Sequence, residues 1–223
     1  MKERCWVCWL ALLLIAGVAV SAKAAAAQCS AQDVVRRDSL PPATISPSSR
    51  PRLIQSAAAI PTWKTIQVGN VANRSAFLAA LDAADCGVGD AVQDIFVRPE
   101  FTVSALKAEL DLVLVSVAEL GVTIDRPPLA RIYGRALRLG LALAPPETGP
   151  QLRLQYFDQP LGEFLNLGMD PISGRNGEMD IFVVANGGAG LLLLSQDASA
   201  RMQFFLSSQF VFVRQTNVKA AQK

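Results

Sequence analysis

Gly149-Pro150-Gln151-Leu152-Arg153-Leu154-Gln155-Tyr156 is the stretch on which the fold turns. Leu152, Leu154 and Tyr156 alternate with Arg153 and Gln155, the period of a strand with one face in the core and one in solvent. Read so, it opens a series of short strands and turns. Asp158-Gln159-Pro160-Leu161-Gly162 is a turn, and 163–169 is the return strand. Ser173-Gly174-Arg175-Asn176-Gly177 is a second turn. Residues 179–185 lead through Asn186-Gly187-Gly188, a strong hairpin signal, into 191–194. Residues 202–206 and 210–214 complete an expected antiparallel β-meander of about five or six strands.

Upstream the pattern is different. Trp63-Lys64-Thr65-Ile66-Gln67-Val68 alternates as a strand and stops at Gly69. Asn73 can cap a helix carrying Phe77, Leu78 and Leu81, which the Gly87-Val88-Gly89 break follows. Residues 90–97 read as a second short helix, ended before Pro99. The segment 104–120 starts with helix formers and continues as Leu112-Val113-Leu114-Val115, so it is read as a turn or short helix leading into a buried strand at 110–117. Pro127 and Pro128 open a helix over 129–139, with Ile132, Ala136 and Leu139 inward and Gly140 at its end. The expected fold is therefore α+β, an α-rich N-terminal half followed by the antiparallel meander.

The first 27 residues read as a secretory leader. Lys2 and Arg4 precede a charge-free apolar run from Trp6 to Val20, and Ala22-Lys23-Ala24 and Ala25-Ala26-Ala27 both offer small-x-small cleavage sites. The run is short beside the roughly 20 apolar residues of a spanning helix, yet it would serve as a membrane anchor if left uncleaved. Gln28 before Cys29 fits a lipidation site badly. The expected location is periplasmic or secreted. Residues 28–52, with Pro41, Pro42, Pro47 and Pro51 among Ser and Thr, have linker composition. A single domain is expected over 53–215, with a polar tail at 216–223.

Removing the leader takes three of the 21 basic and one of the 19 acidic residues, so the formal charge of +2 disappears from the remainder. A balanced chain gives no case for nucleic-acid binding. Cys29 and Cys86 remain after Cys5 and Cys8 leave. In an oxidising compartment such a pair reads as one disulfide, worth about 4 kcal/mol by chain entropy; two unpaired thiols are the alternative. The chain has no histidine at all. That excludes Ser-His-Asp and Cys-His catalytic sets and the usual His-containing zinc site.

The segment from Gly149 to Tyr156, then Asp158-Gln159-Pro160 and Gly162-Glu163, resembles a group of uncharacterised bacterial proteins. Val115-Ser116-Val117-Ala118-Glu119-Leu120-Gly121 and Phe210-Val211-Phe212-Val213-Arg214 extend the resemblance across roughly 63–214. It implies a bacterial origin and an exported destination, and brings no activity, cofactor or catalytic residue.

The polar residues beside the opening stretch form the candidate site. Arg153 and Gln155 share one face of the expected strand, with Asp158 in the turn and Glu163 or Asn166 across from them. Such a face can bind a carboxylate, a sugar or a peptide backbone, because arginine offers a planar fork of donors. It also matches the solvated outer face that antiparallel sheets normally have. Glu147 with Glu163, or Glu163 with Asp170, is the pair a histidine-free glycosidase would use, provided the carboxyl groups stand about 5 Å or 6.5–9.5 Å apart in a cleft. Asp82, Asp85, Asp90 and Asp94 lack the spacing of a calcium loop, so no metal is expected. Gly187-Gly188-Ala189-Gly190 lacks the Lys-Ser/Thr ending of a phosphate loop and reads as a turn. No cofactor is implied. The sequence favours a non-catalytic module binding a small ligand or an envelope partner. A carboxylate-dependent envelope hydrolase and a membrane-anchored structural protein are the alternatives.

Overall fold

Two strands are apolar on both faces, and they fix the centre of the sheet. In β3 (Ala108–Ser116), Leu112, Val113 and Val115 are buried; in β9 (Gln209–Arg214), Phe210, Val211 and Phe212 are buried. A strand of this kind needs neighbours on both edges and cover on both faces. In the computed structural model, which describes residues 53–174 and 177–215, these strands lie side by side, antiparallel, with Leu114 opposite Val211.

The rest of the sheet grows outward from this pair. β1 (Lys64–Val68) flanks β3. β5 (Phe164–Leu167) runs parallel to β9 on its other side. Then come β7 (Met179–Gly187), β8 (Gly190–Asp197) and the two-residue β2 (Gly87–Val88), giving the order β1-β3-β9-β5-β7-β8-β2. β4 (Leu141–Ala142) pairs with β9, and β6 (Ile172–Ser173) with β7. The β7–β8 hairpin closes where Gly187 faces Gly190, whose φ of 95° suits glycine.

The expected α-rich half followed by an antiparallel meander is overturned. The sheet is mixed, with parallel ladders between β5 and β9 and between β2 and β8. It takes β1, β2, β3 and β4 from the half expected to be mostly helical. The helices among the described residues are α1 (Arg74–Ala83), α2 (Asp90–Phe96), α3 (Leu129–Arg138) and α4 (Thr148–Gln155). Many local readings agree with the structure: β1, Asn73 capping α1 through a 2.9 Å bond from Ala76 N–H, α2, β3, and α3 behind Pro128. Two do not. Residues 202–206 form no strand, only an isolated bridge between Pro128 and Gln203. The opening stretch is helix α4.

Burial explains why α4 misleads. Alternation predicts a strand only if the polar residues face water. Here Thr148, Gln151 and Arg153 are as buried as Leu152, so polarity does not mark a face. Pro150 is tolerated in the first turn. Gly149 lets the helix press on β7: a Cβ there would stand 2.6 Å from the Phe182 ring.

The register places Asn166, Val183 and Phe210 on one face of the sheet and Phe182 on the other. α2, α4 and Phe101 cover the Phe182 face, with the Phe96 and Phe101 rings 5.9 and 6.1 Å from Phe182. α3 covers the other face around β9. Tyr133 packs edge-on against Phe210 and Phe212 and donates a 2.8 Å hydrogen bond to Met169 O. Toward β7 and β8 that second face opens as a groove.

Candidate functional site

The residues singled out by sequence separate into two groups. The first is wound into α4 and its surroundings. Arg153 is 0% exposed. Its guanidinium donates to Gln159 Oε1, to Tyr156 O and, over 3.1 Å, to Ala185 O. Gln159, itself buried, passes the network on by donating to Val184 O at 3.1 Å and Glu163 O at 3.2 Å. The loop after α4 is thus stitched to β7. No carboxylate pairs with Arg153 among the described residues, and burial pulls its pKa down, opposed by the neighbouring Cys86 thiol.

Glu147 and Gln155 secure the two ends of the same helix. Glu147 is fully buried; its carboxylate accepts from Ser104 N–H at 3.0 Å and Gly69 N–H at 3.3 Å. Gln155 accepts from Gln67 N–H at 2.9 Å and donates to Gln67 O at 2.8 Å, as a neighbouring strand would. Gln151 donates to Asn70 Oδ1 at 2.6 Å. The first pairing, expected across a two-stranded polar face, is therefore absent. Arg153 is not on a surface, and Gln155 caps the edge of β1.

Asp158 belongs to neither group. Its side chain is 82% exposed and pairs loosely with Lys64 at 3.7 Å. Lys64 Nζ also lies 4.6 Å from the centre of the Tyr156 ring, which meets Trp63 edge-on at 5.1 Å. Tyr156 O–H donates to Glu163 Oε2 at 2.9 Å. Burial first, and then Glu163, push the Tyr156 pKa up, so the phenol stays a donor.

Glu163 and Asn166 form the second group, in the groove. Its volume is about 610 Å³. Asn166 and Val183 make the floor, with Gln196 beside them; Phe164, residues 202–205 and residues 207–209 supply the walls. Asn166 is 9% exposed and donates through Nδ2 to Gln209 O at 3.0 Å. Its Oδ1 accepts from no group among the described residues. Phe164 and Phe205 are 49% and 56% exposed at the rim. Arg126 lies over the Phe205 ring, 4.1 Å from its centre. The lining holds one carboxylate, Glu163, and no cation.

This arrangement offers amide and hydroxyl hydrogen bonds beside flat aromatic faces. It does not offer paired carboxylates. Glu147, the proposed partner of Glu163, has both oxygens committed to backbone N–H groups and lines no wall of the groove. Asp170 is exposed and outside it as well.

Cys86 is buried with a free thiol. Burial raises its pKa, and nearby Arg153 works against that rise. Its expected partner Cys29 lies outside the described residues, as do the leader, the Pro/Ser arm and the tail after Gln215.

Sequence reasoning missed Phe164, Gln196, Gln203 and Phe205. Phe204-Phe205 was a usable signal: the adjacent rings cannot both face one core from a strand, and here Phe204 is buried while Phe205 is not. Comparison with protein-family models, with curated proteins and with solved structures finds no match to this chain.

Proposed function

We propose that this is an exported, non-catalytic binding module whose ligand, an uncharged polyhydroxylic molecule of the saccharide class, lies in the groove over β5, β7 and β8. The observation that carries the reading is the Asn166 amide in the groove, whose Oδ1 has no partner among the described residues and stays open to solvent. A ligand hydroxyl can donate to that oxygen in place of solvent. Glu163, Gln196 and Gln203 add hydrogen-bonding groups suited to hydroxyls, and Phe164 and Phe205 add apolar faces. Mostly apolar walls with a few placed polar groups are the usual make-up of a small-molecule site. None of the lining residues is a cation, and Arg126 at the rim is stacked on the Phe205 ring, which favours an uncharged ligand. Export rests on the leader read from the sequence.

The single carboxylate supports binding over glycoside hydrolysis, which needs two flanking the bond. The test is a titration of the protein, followed by NMR, with neutral chito-, cello- and malto-oligosaccharides. Saturable shifts at Asn166 and Val183 with one series, lost in Phe164→Ala, are expected. No saturation with any series, or identical binding by the variant, overturns the proposal. Release of new reducing ends would establish the hydrolase instead.

A further inference from the structure

Away from the groove, the exposed side of α3 carries a concentration of positive charge. Arg131, Arg135 and Arg138 line one cleft of about 430 Å³ together with Gly121, Val122, Thr123 and Ile124. The spacing of i, i+4 and i+7 puts all three on one side of the helix. Among the described residues none of them forms a salt bridge, and the lining contains no acid. Nearby carboxylates are otherwise placed. Glu119 accepts from Ser116 N–H and Oγ, both at 2.7 Å, and Asp125 is exposed and outside the cleft.

The cleft is held in shape by its own backbone. Arg135 Nε donates to Leu120 O at 2.6 Å, which fixes that guanidinium beside the 121–124 loop. Gly121 turns the loop with φ 76°, and a Cβ there would stand 3.3 Å from Arg135 Nη2. Gly134 leaves the surface of α3 bare under Arg138, whose Nη1 lies 3.6 Å from where a Cβ would be. Arg135 and Arg138 sit in the last turn, where positive charge suits the helix dipole. Arg131, in the first turn, is at the wrong end for that benefit, and as the i, i+4 neighbour of Arg135 it is repelled. An anion shared by the three guanidinium groups would turn that repulsion into attraction.

We propose that this cleft binds a phosphate group, held by the guanidinium forks of Arg131 and Arg138 with Arg135 as the fixed wall. The chemistry is that of a phosphate ester, supplied either by a small phosphorylated molecule or by a phospholipid headgroup. The inference does not depend on the groove. The test uses pyrophosphate as the soluble probe, titrated calorimetrically at low ionic strength into wild-type protein and Arg131→Ala/Arg138→Ala. Arg135 is kept because it supports the loop. Saturable binding weakened by about tenfold or more in the double variant is expected, and it points to a soluble source. A second arm measures co-sedimentation with phosphatidylglycerol vesicles against phosphatidylcholine vesicles. Capture by the anionic vesicles that the double variant loses supports the site and names the headgroup as the source. If neither probe distinguishes wild type from the variant, the proposal is overturned. Unchanged melting of the double variant confirms that any loss is of binding.

Discussion

The α4 network and the groove are built from the same kinds of residue and behave in opposite ways. Around α4, Arg153, Glu147 and Gln155 direct their polar side chains onto backbone groups of other segments. In the groove, Asn166 keeps an acceptor free, and Phe164 and Phe205 stay exposed. Polar clustering in a sequence therefore does not identify a site. What marks the groove is hydrogen-bonding capacity left open to solvent; Thr148 Oγ1 and Arg153 Nε also lack partners, but they are sealed in the core.

The comparison breaks most visibly at Arg153. Arg153→Ala removes three hydrogen bonds from buried acceptors and leaves a cavity, a loss on the order of 3–5 kcal/mol. Denaturant titration should show it as a sharply lower midpoint. A variant that unfolded like wild type but lost ligand would return Arg153 to the binding face. Glu147→Ala comes next, at about 1–3 kcal/mol, because two backbone N–H groups lose their acceptor. Hydrogen exchange should report faster opening around Gly69 and Ser104.

Substitutions in the groove should reverse the pattern. Phe164→Ala and Phe205→Ala remove half-exposed rings, so their stability cost should stay below about 1 kcal/mol while oligosaccharide binding falls. A large stability loss would make these rings part of the core.

Asp180 supplies a smaller effect with a defined sign, independent of both regions. Burial, then Glu178 and Asp197, raise its pKa. The folded state therefore holds the Asp180 proton more tightly than the unfolded state. Its contribution is present below the ordinary carboxylate pKa and is lost as pH rises from there through the raised value. Asp180→Asn should melt higher than wild type at neutral pH, and the advantage should vanish at about pH 3. An advantage independent of pH would refute that cause.

Much of the fold was legible where burial and polarity agree. β1, α1, α3 and the β7–β8 hairpin announce themselves by period, cap and turn residues. β3 is recognisable as a buried strand from its unbroken apolar run, and 210–214 as a strand closing the domain. What local sequence could not show is that they pair with each other, so the mixed order was missed. α4 was misread because its polar residues are inside, where alternation has no meaning. Glu163 and Asn166, expected on one face with Arg153, instead line the groove while Arg153 is buried elsewhere.

The most direct test of this division is thermal unfolding of Arg153→Met beside Phe164→Ala. Methionine fills most of the space, so the comparison isolates the lost hydrogen bonds. Melting should fall by about 10 °C for Arg153→Met and by at most about 3 °C for Phe164→Ala. Melting of Arg153→Met at the wild-type temperature, or an equal fall in both variants, would contradict that division.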